Sequence, residues 1–322
     1  IKVMMKDLNI EFPLDDFEEL ISQIGWYSLN EWFKFWNLKK KILLIDNFWD
    51  DNVNDDWIWG LALPLLSQAY KLNKTSPDRK IIGISALPGT GKTTLGKWLE
   101  STSLKLKFKL SVISIDDFYL PSEEMELAIK NNPWNVSRGF PGSHSLDLMK
   151  EKLLKWKTDG QLNVPVFDKS LRNGLGDRAF WREEHPDLLI IEGWFLGVKP
   201  LSINSDNSLN ILPPLNAYEC SYREKIQNNL EHYLDIWNMI DKIWHLKPLK
   251  FKYMNKWKTY QEKNMHVKTG SSLKDDNLNN FLRMLNVSIP HESFDDINSD
   301  VLLMINQERK LIRVGLNQHS SK

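Results

Sequence analysis

The 322-residue sequence has one cysteine, no net charge and no apolar run long enough to span a membrane. Because Cys220 stands alone, an intramolecular disulfide and a cysteine-based metal site are both excluded. Basic and acidic residues number 42 each, so no net positive field exists to hold a nucleic-acid backbone. The apolar runs 58–66 and 188–198 are interrupted, and both fall short of the roughly 20 residues that a membrane span needs. We therefore expect neither a nucleic-acid partner nor a membrane.

The scarcity of cysteine also bears on location. One cysteine fits a reducing compartment, and we expect a cytoplasmic protein. Because the sequence begins with Ile1 rather than methionine, an organelle-targeting segment upstream stays an open alternative. The sequence indicates nothing about the oligomeric state.

Tryptophan, by contrast, is abundant, with 14 residues. Aromatic side chains mostly fill protein cores, whereas base-stacking platforms need basic neighbours along one groove. The basic stretch 242–268 does interleave lysines with aromatic residues, but its helical spacing favours an amphipathic helix with solvated lysines. We therefore expect the tryptophans to pack a core.

Residues 1–78 predict a helical extension that packs on the main domain. Apolar residues within 12–36 recur at three- and four-residue steps, as in amphipathic helices, and 57–72 is a further apolar segment. The acidic, asparagine-rich stretch 47–56 between them is typical of a loop.

In residues 79–322 strands and helices alternate, which predicts one three-layer α/β domain with a mostly parallel sheet. The predicted strands are 80–85, 110–115, 187–191 and 241–246. The predicted helices are 93–101, 145–157 with Ser145 as N-cap, and one that follows Pro248. The end of the chain differs, because two apolar runs flank a polar turn and predict a hairpin at 301–314.

Residues 86–93, Ala-Leu-Pro-Gly-Thr-Gly-Lys-Thr, match the Walker A phosphate-binding pattern, except that Ala86 stands where its first glycine usually stands. The two glycines let the backbone curl so that N–H groups point inward at phosphate oxygens. We expect Lys92 to reach the β- and γ-phosphates and Thr93 to ligate Mg²⁺. The predicted ATP-binding residues are Pro88, Gly89, Thr90, Gly91, Lys92, Thr93 and Thr94. A chance match in a loop is the weaker interpretation, because a strand precedes the motif and a helix follows it, so the fold is expected to be of the P-loop NTPase type.

Acidic residues follow two predicted strands, at the edge where ligands bind in open α/β sheets. Asp116 and Asp117 close the second strand. Phosphoryl transfer to an alcohol needs a carboxylate that accepts the hydroxyl proton, and Asp116 is our candidate for that catalytic role beside Lys92. The alternative is that Asp116 only caps a turn. Glu192 ends a Walker-B-like strand and is expected to hold Mg²⁺ together with Thr93, with a solvated strand end as the alternative.

These pieces together resemble the phosphoribulokinase, uridine kinase and pantothenate kinase group of P-loop kinases. In that group a Ser-x-Asp-x-Phe-Tyr segment follows the P-loop unit, as residues 114–119 do here, and its general-base aspartate would fall on Asp116. The segments 138–144, 164–178 and 190–197 also resemble plant-type D-glycerate 3-kinases and their microbial relatives. The resemblance implies conversion of ATP and D-glycerate to ADP and 3-phosphoglycerate, with ATP and Mg²⁺ as cofactors. Lys258 stands where those kinases usually carry arginine.

A small anionic acceptor needs at least one cation and several polar groups around it. We expect Arg138 or Lys169 to meet the carboxylate and Asp168 to fix a hydroxyl. The full set of candidate substrate-binding residues is Asp117, Tyr119, Arg138, His144, Asp168, Lys169 and Arg172. For His144 a local packing role is an equally good interpretation, and for Arg172 and Arg178 a solvated loop.

Other interpretations stay open. The segment 216–232 is interpreted as a lid over the phosphates, with an ordinary surface helix as the alternative. The acceptor could instead be a nucleoside, a pantothenate-like acid or a sugar phosphate. A nucleotide-binding regulatory protein without transfer is the other class, and the presence of Asp116 disfavours it because a pure binder needs no base.

Overall fold

The computed structural model describes residues 10–43, 55–201, 211–269, 273 and 275–316. Its strands are β1 (Ile81–Ala86), β2 (Leu110–Ser114), β3 (Leu162–Asp168), β4 (Asp177–Glu184), β5 (Leu188–Gly193), β6 (Lys242–Pro248), β7 (Val301–Ile305) and β8 (Leu311–Leu316). Its helices are α1 (Leu14–Gln23), α2 (Leu29–Leu43), α3 (Asp55–Trp57), α4 (Leu63–Thr75), α5 (Lys92–Lys105), α6 (Ser122–Ala128), α7 (Leu146–Asp159), α8 (Ala217–Glu231), α9 (Leu234–Trp237), α10 (Tyr253–Thr269), α11 (Asp275–Val287) and α12 (Glu292–Asp295). A π-helical turn, Ile58–Ala62, joins α3 to α4, and 3-10 turns occupy Ile115–Phe118 and Arg172–Gly174.

Six strands form the central sheet in the order β2-β5-β1-β6-β7-β8, in which only β8 is antiparallel to its neighbour. Every residue of β1 is buried, as expected for a central strand covered on both faces. On one face Trp244 of β6 donates to Gln68 of α4 at 2.7 Å. On the other face Gly83 lies against Leu196 and Ile240. The predicted α/β fold with a mostly parallel sheet is confirmed.

The register of β5 brings three strand ends to one edge of the sheet. Glu192 pairs with Ile84 of β1 on one side and with Ser114 of β2 on the other. The chain segments that leave these strands therefore emerge side by side. These segments are the Walker A residues, the Ile115–Phe118 turn and the loop after Gly193.

The helices that precede β1 share the core of the sheet. Ser67 of α4 is fully buried, and its hydroxyl accepts the indole N–H groups of Trp32 and Trp36 at 2.7 and 2.8 Å. Helix α1 packs along β8, where Arg313 pairs with Asp16 at 2.5 Å. Most of the predicted loop 47–56 lies outside the described residues.

Of the tryptophans in the described residues, eleven are buried, which confirms their expected role in packing. In the part of the chain that the structure describes, no helix is both long and apolar enough to cross a membrane. Helix α8, within the segment 216–232, begins with a capping box at Asn216 and buries Tyr222, Ile226 and Leu230.

Two local expectations are wrong. Strands β3 and β4 pair as an antiparallel ribbon outside the main sheet, which overturns the solvated-loop interpretation of Arg178. Arg178 therefore lies on a strand. Ser145 does precede α7, but its hydroxyl makes no cap; it accepts a hydrogen bond from Arg178 at 2.7 Å instead. The charged side chain of a distant strand thus outcompetes the local backbone for this hydroxyl.

Replacing Ser67 with alanine tests whether the N-terminal helices belong to the core. The substitution leaves two buried indole N–H groups without an acceptor, and we expect the free energy of unfolding to fall by about 2–4 kcal/mol. Urea denaturation measures it, with exposed Ser22→Ala as the matched control. Equal stability of the two variants would contradict this account.

Candidate active site

The Walker A loop has the backbone that phosphate binding requires. Gly89 and Gly91 adopt φ angles of +79° and +111°, which L side chains rarely adopt, and Gly91 is the residue before α5. A Cβ on Gly89 would lie 2.7 Å from the carbonyl carbon of Trp257, so α10 closes against the loop at this point. The N-terminus of α5 then presents its free N–H groups and positive dipole end toward the space above the loop.

The remaining loop residues divide into structural and accessible ones. Thr90 is buried, and its hydroxyl donates to the carbonyl of Leu87 at 2.8 Å. Pro88 is half-buried, whereas Thr93 and Thr94 at the start of α5 are exposed. Thr93 therefore offers a free-standing hydroxyl where the sequence predicts a Mg²⁺ ligand.

Lys92 folds back over the loop. Its Nζ donates to the carbonyl of Ala86 at 2.7 Å and lies 3.8 Å from Oε2 of Glu192. Burial lowers the pKa of Lys92, and the carboxylates of Glu192 and Asp116 counteract that effect. An incoming polyphosphate would offer this ammonium group anionic oxygens in place of a neutral carbonyl partner and a carboxylate 3.8 Å away.

Asp116 lies in the Ile115–Phe118 turn and forms an ion pair with Lys169. The distance from Lys169 Nζ to Asp116 Oδ2 is 2.7 Å. Burial acts to raise the pKa of Asp116, but the charge and hydrogen bond of Lys169 outweigh it and hold this pKa well below its usual range. The carboxylate is therefore ionised at neutral pH and able to accept a hydrogen bond from a hydroxyl.

Glu192 completes a cluster of alternating charges with Lys92, Asp116 and Lys169. Burial raises the pKa of Glu192, and the charge of Lys92 opposes this rise. Ser114 of the neighbouring strand acts on Glu192 in the direction opposite to burial and lowers its pKa. Sequence reasoning selected all four charged residues of this cluster, and the fold brings them together.

A magnesium ion fits the oxygen donors available here. Mg²⁺ is usually held by one or two carboxylates together with waters and substrate phosphates. The hydroxyl of Thr93 and the carboxylate of Glu192 are hard oxygen ligands of this kind. Among the described residues, no group of three or more His, Cys, Asp or Glu side chains could hold a metal ion by itself.

Two aromatic residues stand behind Asp116. Tyr119 stacks on His144, with ring centroids 4.6 Å apart and planes inclined by 24°. Burial raises the pKa of Tyr119, and the charge of Asp116 acts in the same direction. His144 is buried, and its Nδ1 lies 2.7 Å from the hydroxyl of Tyr233. Both sequence-predicted residues therefore lie beside the candidate base.

Asp117 faces away from this cluster. One of its oxygens accepts the backbone N–H of Ser114 at 3.0 Å and the other accepts that of Phe167 at 3.4 Å. It closes the turn after β2 and joins it to the ribbon. Burial raises the pKa of Asp117.

The other candidates on and near the ribbon have local partners. Arg138 donates to the carbonyls of Gly174 and Leu175, at 3.0 and 2.6 Å. Asp168 accepts the N–H and hydroxyl of Ser170. Their contacts shape the turn between β3 and β4, from which Lys169 projects.

Two arginines lie outside the charged cluster. Arg172 pairs with exposed Glu126 at 2.8 Å on the surface. Arg178 donates to the carbonyl of Tyr119 at 3.2 Å and to Ser145, so it braces the turn that holds Tyr119.

Lys258 is the cation that the candidate set missed. Its Nζ lies 2.5 Å from Glu262 in a mostly buried pair, and it stands one residue after the Trp257 that contacts Gly89. Burial lowers its pKa, and the nearby charges of Lys169 and Asp116 act on it as well. The sequence signal was its position after Trp257, where the resembled kinases carry arginine.

A large part of the chain is similar to known kinases. It is 34% identical over 215 residues to "D-glycerate 3-kinase, chloroplastic" of Arabidopsis thaliana, an alignment that covers 63% of this chain and 45% of the plant protein. The chain is homologous to D-glycerate 3-kinase. The chain is also 28% identical over 220 residues to an uncharacterized kinase of Schizosaccharomyces pombe, an alignment that covers 63% of the chain and 76% of that kinase. The resemblance found in the residues is thereby confirmed.

The structural comparison agrees. D-glycerate 3-kinase from Cryptococcus neoformans matches this chain with a TM-score of 0.66 and 25% identity. The match covers 77% of this chain and 95% of the Cryptococcus chain. The chain is also 27% identical over 178 residues to a pantothenate kinase of Streptococcus thermophilus, an alignment that covers 51% of the chain and 55% of that enzyme. No family model matches the chain.

Replacing Gly89 with alanine tests the closure of α10 on the loop. Gly174 is the matched control, because its φ is +90° but nothing lies within 4 Å of a Cβ built there. Left-handed backbone alone costs an alanine about 1–2 kcal/mol, so Gly174→Ala should lose that much stability. Gly89→Ala should lose more and also bind ATP more weakly, as measured by urea unfolding and calorimetric titration. Equal losses in the two variants would show that α10 yields easily.

Removing Lys169 should raise the pKa of Asp116. Because the folded-state pKa lies below the unfolded one, ionised Asp116 stabilises the fold above the ordinary carboxyl range, and that contribution is lost as pH falls through the folded pKa. In Lys169→Met burial acts with less opposition, so the loss should begin at higher pH. Carbon-detected NMR titration of Asp116 measures this, with Lys150→Met, which removes an exposed pair with Asp235, as the control. An unchanged pKa would rule out the ion pair as its cause.

Proposed function

We propose that this chain is an ATP-dependent kinase that phosphorylates D-glycerate to 3-phosphoglycerate. The observation that carries the proposal is the single cluster in which Lys92 of the phosphate loop, the Asp116 carboxylate and Lys169 act electrostatically on one another. This reaction needs three groups: one that binds the phosphates, one that accepts the hydroxyl proton and a cation that binds the acceptor carboxylate. The homologues named above support the acceptor.

The proposed reaction uses these residues in order. Lys92 and the loop N–H groups bind the β- and γ-phosphates. Thr93 and Glu192 would hold Mg²⁺, which when bound would supply positive charge to the phosphates. The acceptor hydroxyl oxygen forms a bond to the γ-phosphorus, the bond from this phosphorus to the bridging oxygen of ADP breaks, and the hydroxyl proton passes to Asp116.

The low pKa of Asp116 makes it a weak base. Phosphoryl transfer has a loose transition state with little covalent chemistry for the protein to perform, so positioning counts for more than basicity. Asp116 would mainly align the hydroxyl oxygen with the γ-phosphorus. It would receive the proton as the new bond forms.

Two lysines are suited to the acceptor carboxylate. Lys169 already binds a carboxylate, that of Asp116, and projects from the ribbon turn with 55% of its side chain exposed. Lys258 lies where α10 contacts the phosphate loop at Gly89. Arg138 is a weaker candidate, since its Nη1 already donates to the carbonyls of the ribbon turn. We propose Lys169 as the main carboxylate partner.

ADP release with Mg-ATP tests the acceptor. The panel is D-glycerate, L-glycerate, glycerol, uridine, pantothenate and ribulose 5-phosphate. Stimulation by D-glycerate alone, with 3-phosphoglycerate as product, is expected. Stimulation by another compound of the panel would support kinase activity but contradict D-glycerate as the acceptor. ATP binding without stimulation by any of them would favour the regulatory interpretation.

Asp116→Asn should retain ATP binding and lose about 10²- to 10⁴-fold in kcat, because the amide cannot accept the proton. Steady-state kinetics measures kcat and calorimetry the ATP affinity. Asp235→Asn, which changes an exposed aspartate that pairs with Lys150, is the control and should be unaffected. Unchanged turnover in Asp116→Asn would remove this residue from the mechanism.

A further inference from the structure

The imidazole of His144 has one nitrogen with a partner and one without. Nδ1 lies 2.7 Å from the hydroxyl of Tyr233. Nε2 is buried and has no hydrogen-bond partner among the residues that the structure describes. A buried polar atom of this kind costs free energy and needs an explanation.

The hydroxyl of Tyr233 decides which nitrogen of His144 carries the proton. The hydroxyl oxygen accepts the backbone N–H of Gly142 at 3.0 Å. Burial raises the pKa of Tyr233, so the phenol keeps its proton. Among the described residues, that proton has an acceptor only if it is donated to Nδ1. In the alternative tautomer Nδ1–H would donate to the hydroxyl oxygen, and the phenol proton would be left without an acceptor. His144 is therefore protonated at Nε2.

The unpartnered Nε2–H lies next to the candidate base. The imidazole stacks on Tyr119, the charge of Asp116 acts on the Tyr119 hydroxyl, and the backbones of Tyr119 and His144 form an isolated β-bridge. The charges of Asp116 and Lys169 both act on the ring. The acceptor hydroxyl must also come to Asp116 in the proposed reaction, and Asp116 is close enough to His144 for its charge to act on the ring.

His144 is neutral in this setting. Burial lowers its pKa to about 4, and the carboxylate of Asp116 offsets only part of this effect. At neutral pH the ring therefore offers a donor of fixed orientation without a positive charge that would compete with Lys169 for Asp116. A neutral donor of this kind is suited to a hydroxyl or carboxylate oxygen.

We propose that the Nε2–H of His144 donates a hydrogen bond to an oxygen of the acceptor substrate, and that Tyr233 is the positioning residue that fixes this tautomer. The inference rests on the proposed kinase function. It adds to that function a second acceptor-binding group near Asp116, the imidazole of His144, and a residue, Tyr233, that acts only through that imidazole.

The tautomer is measured directly, without turnover. In nitrogen-15 spectra of the ligand-free protein, the long-range correlations of His144 should show a protonated Nε2 and an unprotonated Nδ1. Tyr233→Phe should shift the ring toward the other tautomer or a mixture. Tyr222→Phe is the matched control, because the Tyr222 hydroxyl is likewise buried but has no hydrogen-bond partner in the described residues and does not contact His144. A protonated Nδ1 in the wild type would overturn the assignment.

Kinetics tests the contact with substrate. Tyr233→Phe should raise KM for the acceptor about five- to tenfold, the effect of one hydrogen bond, with kcat and KM for ATP nearly unchanged. His144→Gln keeps an N–H near the Nε2 position and should retain much of the wild-type KM, whereas His144→Phe should lose it. In the His144→Gln background Tyr233→Phe should have little further effect, since the tautomer no longer matters.

The outcomes separate this inference from the proposed function. If D-glycerate is phosphorylated but Tyr233→Phe and His144→Phe leave its KM unchanged, the inference is wrong and the kinase stands. If another acceptor of the panel is phosphorylated, the same comparison is made with it. If no acceptor works, the proposed function fails and the substrate contact with it, and the nitrogen spectra then decide the role of Tyr233 alone. Thermal unfolding of Tyr233→Phe shows whether a raised KM reflects a disturbed fold. If it does, the KM values of His144→Gln and His144→Phe decide whether His144 contacts the substrate.

Discussion

The pairing of β5 with β1 on one side and β2 on the other is the interaction on which the candidate site depends. Parallel strands end at the same edge of a sheet, and the register at Glu192 sets Ile84 and Ser114 beside it. Lys92 and Asp116 follow those strands closely, so two residues distant in sequence come within reach of one carboxylate. A shift of one residue in this register would turn Glu192 to the other face of the sheet.

Burial then makes the charges of this edge depend on one another. In a medium of low dielectric constant an isolated charge is costly, and a compensated one is not. Burial lowers the pKa of Lys92 and raises that of Glu192, and each opposes the shift of the other. Asp116 and Lys169 form the second pair of the cluster. A polyphosphate and an anionic acceptor would enter a site whose cations already hold anionic partners, so binding becomes an exchange of partners.

Around this edge, the rest of the molecule acts as support. The ribbon of β3 and β4 carries Lys169 to Asp116, and Asp117 ties that ribbon to the turn after β2. Helix α10 presses Trp257 against Gly89 and brings Lys258 near the same cluster. Behind Asp116, Tyr119 and His144 form a stacked layer that Tyr233 anchors. All of these supporting elements lie outside the Walker A segment, and the Walker A sequence does not indicate that they contact it.

The sequence by itself determined what depends on local chemistry. The strand, two positive-φ glycines and helix of the Walker A loop, the carboxylates after β2 and β5, and the alternation of strands and helices are properties of short segments, and all could be read there. Only the tertiary structure decided which polar groups meet. Ser145 accepts a hydrogen bond from Arg178 instead of capping a helix, and Asp117 accepts backbone N–H groups. Arg172 forms an ion pair at the surface, while Lys258 and Tyr233 lie beside the site. The physical reason is that hydrogen bonds and ion pairs form between whatever groups the packed elements bring within about 3 Å, and sequence distance has no part in that choice.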